Sequence, residues 1–269
     1  MDPTPDSPIV SAMRRLTRQP GYLLMSAAHR RIAAEPPQRF EKAWIAVMGL
    51  SLLWGLAMVA VWGAAWKIFR DYDLLIMPAL AATALFCLVL FRRAVVATAE
   101  LIGGANHTTR AVVATMAVLI VAMCFIRLKP DWQRWELSDL PWWIAWLRPA
   151  AKLYRVLLMM PLWGGWSMLV TVKFCRPTAA TCPQIAAFAR GVPAAAVAGC
   201  MAALLLVSIA YFHHLGVGSQ VCVPGATTLT AIAAGILLCR LTGGPTRRGL
   251  LAANVLTQIA FVLAYLAGR

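Results

Sequence analysis

The sequence predicts an all-α fold, a polytopic membrane protein with about seven transmembrane helices, and three observations carry that expectation. Of the 269 residues, 61% are hydrophobic and 13% charged, with a mean hydropathy of +0.72. Few water-soluble domains hide that much apolar surface. The apolar residues also fall into runs close to the roughly 20 that a helix needs to cross a bilayer core of about 30 Å. Finally, none of the acids Asp2, Asp6, Glu35, Glu41, Asp71, Asp73, Glu100, Asp131, Glu136 and Asp139 sits in the middle of such a run.

In chain order, a basic tail over 1–42 precedes a helical transmembrane domain over 43–269. The tail shows no cleavable signal segment. Its SAMRRLTRQPGYLLMSAAHRRI stretch mixes apolar and basic residues around Pro20, which suits a segment lying on the membrane surface with its arginines toward the headgroups. Forty residues without a staple are too few for a core of their own. The spans follow at 43–66, 74–91, 111–126, 156–172, 191–212, 223–239 and 249–267. The third and fourth are short, which an extra turn, tilt or burial against neighbours accommodates.

Orientation follows from the lysines and arginines, because positive loops stay on the cytoplasmic side. Sixteen of the 25 fall in the tail and in the even-numbered loops, including Arg92, Arg93, Arg110, Lys173, Arg176, Arg190, Arg240, Arg247 and Arg248. The expectation is an N-terminus inside, a C-terminus outside and residence in the cytoplasmic membrane. The loop at 127–155 is the misfit, with six basic residues, although three acids offset half of them and its tryptophans suit an interfacial belt.

The seven cysteines show no CxxC or ordered spacing and read as small core residues. His213 and His214 are adjacent and cannot share one helix face as a metal-binding i, i+4 pair would. Asp71-Tyr72-Asp73 reads as a solvated helix end. A net charge of +15 without a soluble domain does not point to nucleic acid; it reads either as the positive-inside rule alone or as a cytoplasmic face that meets anionic headgroups of the lipid bilayer or an anionic, phosphate-bearing small molecule. The absence of intramembrane carboxylates weighs against a proton-coupled transporter.

One cytoplasmic stretch, RRAVVATAELIGGANHTTR at 92–110, closes on Gly103 and Gly104 before small hydroxyls and Arg110. It reads either as a backbone cradle for phosphate or as a helix C-cap with a polar turn. A second, GGPTRRGLLAANVLTQ at 243–258, places Gly243, Gly244, Thr246, Arg247 and Arg248 before an apolar run.

Four segments in order resemble the cobalamin synthase family, the membrane-integral adenosylcobinamide-GDP ribazoletransferases. Leu16-Thr17-Arg18-Gln19-Pro20 resembles LTRxP, and VATAELIGG at 96–104 resembles the end of DGLADTADGLGG. GGWSM at 164–168 with FARGV at 188–192 resembles a paired RWAM and FARGV. Residues 243–258 resemble GGxTGDxLGAxxELxE, matching at Gly243, Gly244, Thr246, Leu250, Ala252 and Leu256. The resemblance implies joining of α-ribazole or its phosphate to adenosylcobinamide-GDP with release of GMP, using Mg²⁺. It further implies that the loops at 92–110 and 240–248 meet to form the site.

The departures share one pattern. Three family aspartates fall at Arg93, Ala97 and Glu100, and an aspartate and two glutamates fall at Arg248, Val255 and Gln258. The RWAM arginine falls at Gly165, and a lysine-aspartate-serine-arginine stretch appears as His107-Thr108-Thr109-Arg110. Two readings follow. In a divergent transferase, Glu100 is the catalytic residue and metal ligand, Arg93, Arg110, Thr246, Arg247 and Arg248 bind the diphosphate, and Gly103, Gly104, Gly243 and Gly244 form the loops. In a non-catalytic relative, the same basic surface binds a corrinoid, a nucleotide or a membrane partner. A small-solute transporter is the third class.

Overall fold

Each apolar run becomes a helix, and the two short runs are completed by polar residues at their ends. The computed structural model describes residues 36–70, 74, 76–104, 106–128, 152–179, 181–212 and 215–269. The helices are α1 (Ala43–Arg70), α2 (Met77–Ala84), α3 (Arg92–Gly103), α4 (His107–Arg127), α5 (Lys152–Phe174), α6 (Pro183–Gly191), α7 (Ala194–Phe212), α8 (Val217–Thr242) and α9 (Arg247–Ala267). No strand occurs among the described residues. The tail before residue 36, Asp71-Tyr72-Asp73, most of the tryptophan-rich stretch over 129–151, and His213-His214 lie outside them.

Six helices, α1, α4, α5, α7, α8 and α9, are long and apolar enough to cross a membrane. A seventh span exists only as a pair bent by 71°, Met77–Cys87 with Arg92–Gly103. The bend has a local cause. After α2 the chain widens into a π-helix over Leu85–Leu90, closed by Phe91 N–H donating to Phe86 O at 2.8 Å, and such a wide turn breaks the regular ladder. Phe91 then leaves the helical region at φ −118°, ψ 16°. Both phenylalanines are buried. Trp54 of α1 meets Phe91 edge-on at 5.0 Å and Phe125 of α4 meets Phe86 at 6.2 Å, so aromatic packing holds the corner. The sequence placed 74–91 in one span and read 92–110 as a loop. The chain instead bends at Phe91, and residues 92–103 are helical.

The bundle is built around α5, most of whose residues are buried, whereas α4 and α7 each bury only three. Helices that expose Met116, Leu119 and Met123, or Leu206 and Ile209, have the apolar outer faces that lipid covers. Between helices, small residues permit close approach. A Cβ on Gly55 of α1 would stand 2.7 Å from the Leu158 carbonyl oxygen of α5, and one on Gly165 of α5 would collide with Ser51 of α1. Buried Arg155 at the start of α5 donates through Nη1 to Tyr211 O at 3.0 Å, satisfying a carbonyl at the end of α7.

At the opposite end, where α5 and α8 finish and α9 begins, shorter pieces gather. Phe40, placed in the tail by the boundary at 42, is fully buried in the main core. The chain beside it touches α6, where a Cβ on Gly191 would overlap the Glu41 backbone. The reading of all seven cysteines as small core residues fails for four of them: Cys182 and Cys222 are exposed, and two others are bonded to each other. Cys175 and Cys239 form a disulfide with Cα atoms 6.2 Å apart, a pairing created by the adjacency of α5 and α8 and invisible in sequence spacing.

Candidate functional site

The turn between α8 and α9 shows how GGPTRRG folds. Gly243 takes φ 68°, a left-handed conformation that glycine adopts without penalty, and Gly244 N–H donates to Cys239 O at 2.9 Å, ending α8. Thr242 Oγ1 lies within donating distance of both Leu238 O and Gly244 O, one of which takes its proton, and Thr178 Oγ1 donates to Gly243 O at 3.0 Å. Pro245 then prevents the helix from continuing. Thr246 caps α9, its hydroxyl accepting from Gly249 N–H at 3.1 Å. Arg247 and Arg248 therefore occupy the first turn of α9, which contains no acid.

Basic residues in a first turn oppose the helix dipole, whose positive end lies there. The same arrangement recurs in α3, which opens with Arg92 and Arg93 and has no acid in its first turn. Two arginine pairs at two helix N-termini line one cavity of about 900 Å³. Its walls include Val96, Ala97, Leu101, Ile185 and Leu251, with Glu100, Cys182, Thr242 and Thr246. Helix stability does not explain the arginines there. A bound anion would.

The cavity unites Arg93, Glu100, Thr246, Arg247 and Arg248, five of the residues singled out in the sequence, from segments about 150 positions apart. Thr246 acts as a cap within it. Gly243 and Gly244 form the turn behind it. Arg110, Gly103 and Gly104 lie elsewhere. Arg110 Nε donates to Gly104 O at 2.5 Å, and a Cβ on Gly103 would meet the Arg110 backbone at 2.9 Å, so Arg110 fastens the corner between α3 and α4. The phosphate-cradle reading of this turn is corrected as well. Asn106 caps α4 and accepts from the Thr108 and Thr109 N–H groups, engaging the amides that a phosphate would need. Besides Val96, Leu101 and Thr242, which neighbour the expected residues in the chain, sequence reasoning missed Arg92, Cys182, Ile185 and Leu251 as lining residues. The Arg92-Arg93 doublet was a usable signal; the others are brought in only by the packing of α6 and α9.

Glu100 is not a free ligand. Its Oε2 lies 3.3 Å from Arg248 Nε, and no other described residue lining the cavity is acidic. Magnesium demands near-octahedral oxygen coordination, with carboxylates anchoring it. Among the described residues no three His, Cys, Asp or Glu side chains gather as a metal site. A single carboxylate already paired with arginine does not fit Mg²⁺, so the roles of catalytic residue and metal ligand expected for Glu100 lack the donor set they require.

Three other substituted positions, Gly165, Val255 and Gln258, lie in the packed bundle. Val255 and Gln258 of α9 are fully buried, and Gln258 Nε2 donates to Asn254 Oδ1 one turn earlier. Asn254 Nδ2 reaches Met168 Sδ of α5 at 3.3 Å. Here an amide pair joins α9 to α5, and a side chain on Gly164 would meet both amides within 2.8 Å.

Comparison with family models, with curated proteins and with solved structures finds no match for this chain.

Proposed function

We propose that this protein of the cytoplasmic membrane, with its N-terminus inside and C-terminus outside, binds an anionic, phosphate-bearing small molecule at the cavity between α3 and α9. It does so without carrying out metal-dependent transfer. One observation carries the reading: four arginines, paired at two helix N-termini, surround a cavity whose carboxylate is engaged by one of them. Arginine forks suit phosphate geometry, and the positive-inside distribution supports a cytoplasmic position for this end of the bundle.

By the resemblance, the ligand class is a corrinoid-nucleotide such as adenosylcobinamide-GDP. Displacing GMP from its diphosphate develops charge that Mg²⁺ normally neutralises. Loss of one principal electrostatic stabiliser lowers rates by about 10²- to 10³-fold, and here several acids are replaced together. The arginines hold the diphosphate but supply no metal.

The test supplies reconstituted full-length protein with adenosylcobinamide-GDP, α-ribazole and Mg²⁺. The expected result is binding of adenosylcobinamide-GDP without a joined corrinoid by mass, and weaker binding in the Arg247→Ala, Arg248→Ala variant. Product above background overturns the reading.

A further inference from the structure

We infer that this cavity also takes a membrane amphiphile whose headgroup is a phosphomonoester or diphosphate; the inference rests on the anion-binding reading above. Three features of the site carry it.

The first is its place at the membrane boundary. The chain turns by 71° into α3, so α3 leaves the direction of α2. It buries Ala94, Val95, Ala97, Thr98 and Ala99 against the bundle, yet leaves Val96 47% and Ile102 57% exposed beside exposed Arg92 and Arg93. Exposed apolar side chains next to arginines belong where headgroups meet acyl chains.

The second is the composition of the walls. Phosphate needs only the arginines, but the cavity is far larger than a phosphate, and Val96, Ala97, Leu101, Ile185 and Leu251 line much of it. Apolar walls favour apolar contents. The uncharged polar groups are already engaged. Thr246 Oγ1 accepts from Gly249 N–H, Thr242 Oγ1 gives its one proton to a neighbouring carbonyl, and Cys182 Sγ donates to Gln184 Oε1 at 2.6 Å. A hydrocarbon chain asks nothing further of them.

The third is charge. Four arginines and one glutamate leave a formal excess of three positive charges. A phosphomonoester carries about −1.5 to −2 near neutral pH, and a diphosphate more, so either matches this excess better than the single charge of a phosphodiester lipid.

The test uses the full chain in phosphatidylcholine nanodiscs with labelled inorganic pyrophosphate as the reporter. Phosphatidic acid, a phosphomonoester lipid, and phosphatidylglycerol, a phosphodiester, are included at matched surface charge. Phosphatidic acid should raise the apparent Kd for pyrophosphate at least about tenfold more than phosphatidylglycerol, the scale of one extra charge contact. Val96→Gln, which makes an apolar wall of the cavity polar, should blunt the displacement by phosphatidic acid, and an undiminished displacement would overturn the amphiphile. Pyrophosphate binding that phosphatidic acid does not displace would overturn the amphiphile and leave the anion reading standing. Equal displacement by both lipids would overturn it as bulk surface charge. No pyrophosphate binding and no lipid retained would overturn both.

Discussion

Replacing Glu100 by Gln removes the carboxylate from the cavity while keeping its shape. Glu100 Oε2 lies 3.3 Å from Arg248 Nε, and the arginine side chain is 65% exposed. An ion pair so open to solvent adds no more than about 1 kcal/mol to stability, so the variant should fold. A bound anion feels the change more strongly. A sphere of about 900 Å³ has a radius of roughly 6 Å, and two unit charges that far apart, at an effective dielectric of about 40, interact by about 1.4 kcal/mol. Removing the repulsion of the carboxylate therefore tightens binding by about tenfold per unit of ligand charge, before salt screening, and Arg248 becomes available to the ligand. Calorimetric titration of the solubilised protein with pyrophosphate in EDTA should show this gain. An unchanged or weaker affinity refutes the reasoning, and Mg²⁺-dependent binding that disappears in Glu100→Gln would return Glu100 to the role of metal ligand.

Other expectations test the assignment of individual residues. Arg93→Gln should weaken pyrophosphate binding by about 1.5–3 kcal/mol, the worth of a charged hydrogen bond, while Arg110→Gln should leave it unchanged; equal effects would deny Arg110 its separate role at the α3–α4 corner. Gly55→Val forces a side chain onto the Leu158 backbone at 2.7 Å and should destabilise the bundle by about 1–3 kcal/mol, read as a lower melting temperature in detergent. Cys175 and Cys239 close a loop of 64 residues, corresponding to about 4 kcal/mol in the chain-entropy account, an upper value for helices that remain inserted when the bundle opens. Their double replacement by Ser should lower the melting temperature, and reduction of the native protein should match it.

Much of the fold was legible because hydropathy in a membrane protein is a nearly direct record of which segments cross. All seven apolar runs are helical, and the polar ends of α4 and α5 complete the two short ones. The bend at Phe91 was not legible. It depends on an i→i−5 turn and on Trp54 and Phe125 arriving from other helices, and no glycine or proline marks it. In the site, the doublets Arg92-Arg93 and Arg247-Arg248 were visible, and the expected meeting of their segments is what the cavity displays. Their placement in the first turns of two helices was not, because that follows from where α3 and α9 begin. The disulfide and the contributions of Cys182, Ile185 and Leu251 depend on helix adjacency, to which sequence spacing is blind. The same holds for Arg110, whose neighbours Gly103 and Gly104 suggested a cradle until Asn106 was found to hold the amides of the turn.

The central claim is that a cationic cavity at the membrane boundary holds phosphate without a metal. Its most direct test is equilibrium binding of labelled pyrophosphate to the full chain in phosphatidylcholine nanodiscs, with EDTA throughout and salt raised stepwise. The account predicts saturable binding that weakens as salt rises and is indifferent to EDTA. Absence of saturable binding, or binding that emerges only when Mg²⁺ is restored, would contradict it.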